Sequence, residues 1–377
     1  MKKIIIIFLL IIPICVFSNE FALYYTVHDS LQIGFFGAPY VSYTSDSSFS
    51  LGFSLLIFEK NLAEKILAGQ DFNVRVDIRY SYEEEREFFI DSRIPIRNFY
   101  QNIYLKLEYK TAPRIFYGIG GNTTKDDAIN YQREQYRFLG DWTRIISKRM
   151  SAGVAWDFSG YENEDIDKRE ERNIFNDSGN TAENFYDFYR AIGFGPTFIY
   201  NTRLPNNFPL MGSYYKNVVL FYHKNLGSEY NFITLNQEFQ YFYRLKSSLF
   251  QKNDHVIASQ LISNNTFGDT PFHYLPDQGS GNMMRGFSSG RFVDEQYLSV
   301  QSEYRSPFLF WRVSSVAFCA AGISYAGIHD FVSGNINLTG GFGLRFALDK
   351  QQRVNVRADA GFSKEGYQIY LKFGDAF

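Results

Sequence analysis

The stretch FNVRVDIRYSY at residues 72–82 alternates apolar and polar side chains from Val74 onward. Val74, Val76, Ile78, Tyr80 and Tyr82 fall on one side, and Arg75, Asp77 and Arg79 on the other. Successive side chains of an extended chain point to opposite faces, so this pattern gives a strand with one apolar and one charged face. Asn102–Lys110 repeats it, with Ile103, Leu105, Leu107 and Tyr109 against Tyr104, Lys106, Glu108 and Lys110. Val354–Phe362 does so again, setting Val354, Val356, Ala358 and Ala360 against Asn355, Arg357 and Asp359. A soluble sandwich uses strands of about five or six residues. Many segments here run to about ten or more, the length that crosses a bilayer at a tilt. Charges of both signs stand mid-strand, as in a wet barrel lumen, and Tyr and Phe gather near strand ends, where an interfacial girdle lies.

Composition agrees. The 377 residues include 39 Phe and 28 Tyr, types that favour strands. Lys2 and Lys3 precede the apolar run Ile4–Phe17, and Ser18 follows it. This is the pattern of a secretory signal peptide, and the run is too short for a spanning helix. Beyond it there is no second long apolar stretch, so any membrane-spanning part is built from strands. The chain has 38 basic and 40 acidic residues, and removal of Lys2 and Lys3 makes the balance about −4. Without a basic excess, nucleic acid is not an expected partner. Cys319 is the only cysteine beyond the signal, which excludes a structural disulfide within the mature chain.

The expected fold is therefore all-β, a transmembrane antiparallel outer-membrane barrel. Residues 1–18 form the signal peptide, 19–31 a short periplasmic lead-in, and 32–377 the barrel. Sixteen strands are expected, an even number as bacterial barrels use. They begin with Gln32–Tyr43, Phe49–Glu59, Phe72–Glu83, Arg86–Arg97, Asn102–Thr111, Gln132–Ile146, Met150–Tyr161 and Phe188–Asn201. Tyr215–Asn225, Tyr230–Leu245, His255–Ser263, Glu295–Phe308, Arg312–Ala326, Asn335–Asp349, Val354–Gly366 and Tyr367–Phe377 complete the set. Long connections at Ala112–Tyr131, Glu162–Asp187 and Asn264–Asp294 follow odd-numbered strands, which places them outside the cell and both termini in the periplasm. The mixed charge of Glu162–Asp187 suits a solvated loop.

Known chemistries find little support. His28, His223, His255, His273 and His329 have no metal-ligand spacing, and His273 is expected to be an ordinary structural or surface residue. Gly118–Gly121 lacks the helix that a nucleotide site needs. No serine–histidine or acid-pair constellation can be assembled on one face, so neither an enzyme nor a cofactor is expected.

Met284-Arg285-Gly286-Phe287, then Gly290-Arg291-Phe292 and Asp294, then Gln301-Ser302-Glu303-Tyr304-Arg305 resemble the sixth-loop signature of the BamA-type bacterial surface antigen barrels. The stretch lies between the eleventh and twelfth expected strands, where that family carries it. Phe116–Gly120, Gly195-Pro196, Tyr200–Arg203, Gly343–Phe346 and Gly374–Phe377 are also similar to the family, Phe373 and Phe377 standing as the C-terminal strand signal. The resemblance implies that the Arg285-Gly286-Phe287 loop folds back into the lumen.

Three departures stand out. The lead-in leaves no room for the periplasmic POTRA domains of assembly machines. Ala320 stands where the family places the aspartate that partners the loop arginine, and Asn201 where an aspartate is common. A desolvated arginine needs acceptors. Face alternation turns Glu303 and Asp359 inward, with Arg305, Arg345 and Arg357 as further lumen charges, so Arg285 is expected on Glu303, Asp359 or both. Two functions stay open. In one, the barrel takes part in assembly, insertion or translocation of outer-membrane or surface components, with lipid and partner proteins around it. In the other it is a pore, receptor or structural element that binds a ligand through its outer loops.

Overall fold

The structure, a computed structural model, describes residues 25–28, 31–44, 48–59, 72–96, 100–121, 123–124, 128–165, 188–205, 208–245, 255–327, 330–331, 336–349 and 354–377. The expected signal 1–18, most of the lead-in 19–31 and most of Glu162–Asp187 lie outside the described residues.

The strands are β1 (Tyr25–His28), β2 (Leu31–Thr44), β3 (Ser48–Glu59), β4 (Asn73–Ser81), β5 (Arg86–Ile96) and β6 (Gln101–Phe116). Next come β7 (Ile129–Ser147), β8 (Met150–Asp165), β9 (Tyr189–Asn201), β10 (Gly212–Tyr222), β11 (Phe232–Arg244) and β12 (Val256–Gly268). The two-residue strands β13 (Asp277–Gln278) and β14 (Phe292–Val293) sit within the long loop. Then follow β15 (Gln296–Arg305), β16 (Val313–Tyr325), β17 (Asn337–Asp349), β18 (Val354–Ser363) and β19 (Gly366–Phe373). Sixteen of them, β2–β12 and β15–β19, pair antiparallel with their neighbours, and β19 returns to β2 to close a barrel.

Burial is inverted relative to a soluble protein. Leu51 is 70% exposed and Leu338 65%, while Asp77 and Arg357 are each 1% exposed. The apolar faces look outward and the polar faces inward. Only an apolar solvent outside and a polar interior satisfy both faces, which is the barrel's arrangement in a bilayer.

Several strand ends differ from the alternation reading by three residues or more, among them both ends of β10, expected at Tyr215–Asn225 and found at Gly212–Tyr222, and three others bear on the site. β6 continues past Thr111 to Phe116, because its pairing with β7 persists to Phe116 opposite Ile129. Likewise, β12 runs past Ser263 to Gly268. Asn264, Asn265 and Thr266 carry no apolar beat to mark the strand, yet their backbones pair with Asn236, Leu235 and Thr234. The last strand stops at Phe373 rather than Phe377. Gly374, at φ 85°, turns the chain inward. Beyond it Asp375 accepts from Arg345 at 3.1 Å and from Asn355 at 2.9 Å. The Arg305 guanidinium donates to the main-chain oxygen of Phe377 at 2.9 Å. The ring of Phe377 lies 4.8 Å from that guanidinium and beside Phe242, so Phe377 packs inside the barrel and not in its wall.

The closing ladder is short. Among the described residues, β19 meets β2 only through Tyr370 opposite Thr44 and Leu371 opposite Tyr43. On its other edge β19 pairs with β18 from Gly366 to Phe373.

Candidate functional site

The loop between β12 and β15 crosses the interior and is held at both ends of its path. Its first hold is aromatic. Phe272 meets Phe116 edge-on at 4.9 Å, and the His273 ring stacks on Tyr161 at 4.7 Å. Tyr274 meets Tyr222 at 5.0 Å and donates its hydroxyl to Asp157 at 3.1 Å. The His273 Nε2–H donates to the Asn163 carbonyl at 2.7 Å, so Nδ1 accepts from the Tyr189 hydroxyl at 2.6 Å. Both ring nitrogens are satisfied in the neutral tautomer. Burial, with the Arg133 charge nearby, holds the His273 pKa well below its ordinary value.

The second hold is ionic. The Arg285 side chain is 0% exposed. It donates Nη1 to Asp359 on β18 at 3.0 Å and Nη2 to Glu303 on β15. Its guanidinium carbon lies 3.6 Å from the centre of the Phe318 ring on β16. Phe318, two residues before Ala320, presents its ring face to the cation where the family pattern has a carboxylate nearby. A ring quadrupole attracts a cation without adding a charge that must itself be desolvated. Ala320 packs instead with Met283, Met284, Phe287 and Phe292.

The other lumen charges close around this centre. Arg305 donates to the second oxygen of Glu303 at 3.0 Å. Arg345 and Arg357 stand opposite each other on β17 and β18, and both donate to Asp359. Arg357 also reaches the Asn282 side chain in the loop. Four guanidiniums thus share Glu303, Asp359 and Asp375. Such a network specifies the loop's position, because removing one member strands buried charge.

Gly286 is required by contact. Its φ is 121°, and an added Cβ would lie 2.8 Å from the backbone of Phe362. Gly361 is constrained reciprocally, since a Cβ there would lie 2.6 Å from the Arg285 carbonyl. Loop and wall therefore touch backbone to backbone. The Gly286 N–H donates to the Tyr370 hydroxyl at 3.1 Å, which in turn donates to the Phe287 carbonyl at 3.2 Å. Ser363 donates to the Gly286 carbonyl at 2.8 Å. Tyr370 is also one of the two β19 residues at the closing ladder.

The structure brings Arg285, Gly286, Phe287, Glu303, Asp359, Arg305, Arg345 and Arg357 together. It separates Phe377 from the wall and gives Phe373 the last pairing position, opposite Val356. Sequence reasoning missed Phe318, whose inward face follows from alternation with Ala320 but whose place under the Arg285 guanidinium does not. Arg291 of the loop signature, for which sequence reasoning supplied no partner, donates to Glu365 at 2.8 Å and to Thr123 at 2.9 Å. Asn201, the other departure, accepts from the backbone and the guanidinium of Arg203, each at 3.1 Å.

The fold resembles solved outer-membrane barrels at low identity. The structure of BamA from Haemophilus ducreyi lacking POTRA domains 1–3 superposes with a TM-score of 0.56 at 14% identity, over 94% of this chain and 74% of that one. CdiB from Acinetobacter baumannii gives 0.55 at 12%, over 90% and 59%. CdiB from Escherichia coli gives 0.53 at 11%, over 92% and 63%, so this chain spans about three-fifths of each CdiB. No curated protein matches the sequence. The Omp85 superfamily domain matches residues 36–363, which is most of the barrel. This chain belongs to the Omp85 superfamily, as an outer-membrane β-barrel.

Proposed function

We propose that the barrel takes part in the assembly, insertion or translocation of outer-membrane or surface components, together with partner proteins. The observation that carries this reading is the two-residue ladder between β19 and β2. Among the described residues every other pair of adjacent wall strands is joined by seven or more residue pairs, so this ladder has the fewest backbone bonds to break. Once parted, the β2 edge exposes N–H and C=O groups to lipid, where they cannot stay unsatisfied. An incoming extended segment supplies the missing partners by adding a strand. No catalytic group or cofactor is needed for this. Family membership supports the same reading at a coarser level.

The test is a locked seam. Tyr43→Cys with Leu371→Cys places a thiol pair across the ladder, and Cys319→Ser removes the free thiol of β16. Oxidation is expected to abolish the protein's contribution to outer-membrane assembly in cells, and reductant to restore it. A phenotype indifferent to the lock counts against the proposal. Conductance or ligand binding that persists in the locked protein would favour a pore or receptor instead.

A further inference from the structure

At the rim opposite the long loops, β15 and β16 are joined through Leu309-Phe310-Trp311-Arg312, which exposes three large apolar residues in a row. Leu309 is 57% exposed, Phe310 65% and Trp311 59%. The turn is not loose. Val313 N–H donates to the Phe310 carbonyl at 2.9 Å, and Leu309 N–H to the Val313 carbonyl at 2.8 Å. Arg312 donates to the carbonyls of Ala347 and Leu348 on β17. In the turn Phe310–Val313, closed by the first of these bonds, Trp311 holds the second position with φ 47°. A turn with positive φ there takes glycine without strain, whereas a bulky aromatic is an outlier. Met284, another residue at positive φ, is fully buried by its loop. Trp311 is 59% exposed, so its strain has no such return from burial within the chain.

The direction of the turn identifies what the ring meets. Trp311 lies edge-on to Phe346 at 5.5 Å. Phe346 alternates with inward Arg345 and shares the outward face of β17 with Phe342 and Leu344, both exposed. The turn thus continues the lipid-facing surface beyond the end of the strands. The Arg312 guanidinium stands 5.8 Å from the Trp311 ring, a cation beside an amphipathic aromatic. Tryptophan and arginine at a membrane edge favour the headgroup region, where the ring is half apolar and the cation meets phosphate.

We propose that Leu309–Arg312 is an interfacial anchor, a rigid turn that inserts Leu309, Phe310 and Trp311 into the headgroup layer of the adjoining phospholipid leaflet. The anchor fixes the height of the β15–β16 side, which carries Glu303 and Phe318, relative to the bilayer.

Trp142→Phe with Trp156→Phe leaves Trp311 as the sole tryptophan. The protein is folded into vesicles of phosphatidylethanolamine and phosphatidylglycerol, with and without lipids brominated near the ester end of the chain. Trp311 emission is expected to be blue-shifted and to lose roughly half its intensity or more to these lipids, as a headgroup-level ring does. Bromine near the chain terminus is expected to quench much less, and iodide in the buffer hardly at all. Red-shifted emission quenched by iodide and not by brominated lipid overturns the proposal and points to a water-exposed or protein-binding turn. Leu309→Asp with Phe310→Asp, in the same background, is expected to shift quenching from lipid to iodide. Unchanged lipid quenching in a folded Leu309→Asp, Phe310→Asp protein would also overturn it.

Discussion

The Tyr370 hydroxyl accepts the Gly286 N–H at 3.1 Å while the Tyr370 backbone lies opposite Thr44 in the closing ladder. The lumen loop and the barrel's weakest junction thus share one residue. Loss of the hydroxyl in Tyr370→Phe leaves the Gly286 N–H and the Phe287 carbonyl without that partner in a buried site. The expected cost is about 1–3 kcal/mol. Urea unfolding in lipid vesicles measures it, and limited proteolysis should find the loop more accessible. A Tyr370→Phe protein with native stability and loop protection would show that the contact is incidental.

Arg285 is the centre of the ionic hold. Arg285→Ala leaves Glu303 and Asp359 with Arg305, Arg345 and Arg357 but removes the loop's own charge. Truncating one partner of a buried pair costs about 3–5 kcal/mol, and the remaining arginines should hold the loss near the lower end. Arg285→Lys should recover only part, because an ammonium cannot reproduce the fork to two carboxylates or the flat contact on Phe318. Unchanged unfolding and proteolysis in Arg285→Ala would refute the ionic hold.

Ala320 offers a test in the opposite direction. Introducing the family's aspartate by Ala320→Asp puts a carboxylate among Met283, Met284, Phe287 and Phe292. We expect a loss of about 1–3 kcal/mol, typical of a polar group buried without a built partner. A gain in thermal stability would show that Arg285 still accepts a carboxylate from this position.

The aromatic hold carries a pH signature. His273 is neutral in the folded state, and its pKa is held well below the ordinary value by burial and the Arg133 charge. A depressed folded pKa means that its contribution is complete above about pH 6.5 and is lost as the pH falls below it, since the unfolded chain then binds the extra proton. Asp294 has the opposite sense. Burial raises its carboxyl to about 6, so its contribution is full below its ordinary value and lost as the pH rises through about 6. Protease half-life of the loop should therefore fall between pH 7 and 5 in an Asp294→Asn background. His273→Gln should flatten that dependence; a profile unaffected by His273→Gln would exclude the histidine.

Much of this architecture was legible in sequence for a physical reason. Val74–Tyr82 and Val354–Phe362 must each serve lipid and lumen at once, so alternation is imposed residue by residue. The same parity turned Glu303 and Asp359 inward, and the resemblance at Arg285-Gly286-Phe287 supplied the cation. What stayed hidden depends on contacts distant in sequence. Phe318 looks like any aromatic of a strand until a guanidinium lies on its face. Gly374 resembles a strand-end glycine, and only Arg345, Asn355 and Arg305 reveal that the tail turns inward. His273 had no spacing partner because Tyr189 and Asn163 come from other strands.

Through Tyr370 the loop hold braces the weak junction between β2 and β19. Amide hydrogen–deuterium exchange of the vesicle-embedded protein tests it most directly, by comparing Val41–Thr44 and Tyr370–Phe373 with the β6–β7 ladder. The junction amides are expected to exchange much faster than β6–β7 in the native protein and faster again in Arg285→Ala, with β6–β7 unchanged. Junction amides as protected as β6–β7, or indifferent to Arg285→Ala, would contradict it.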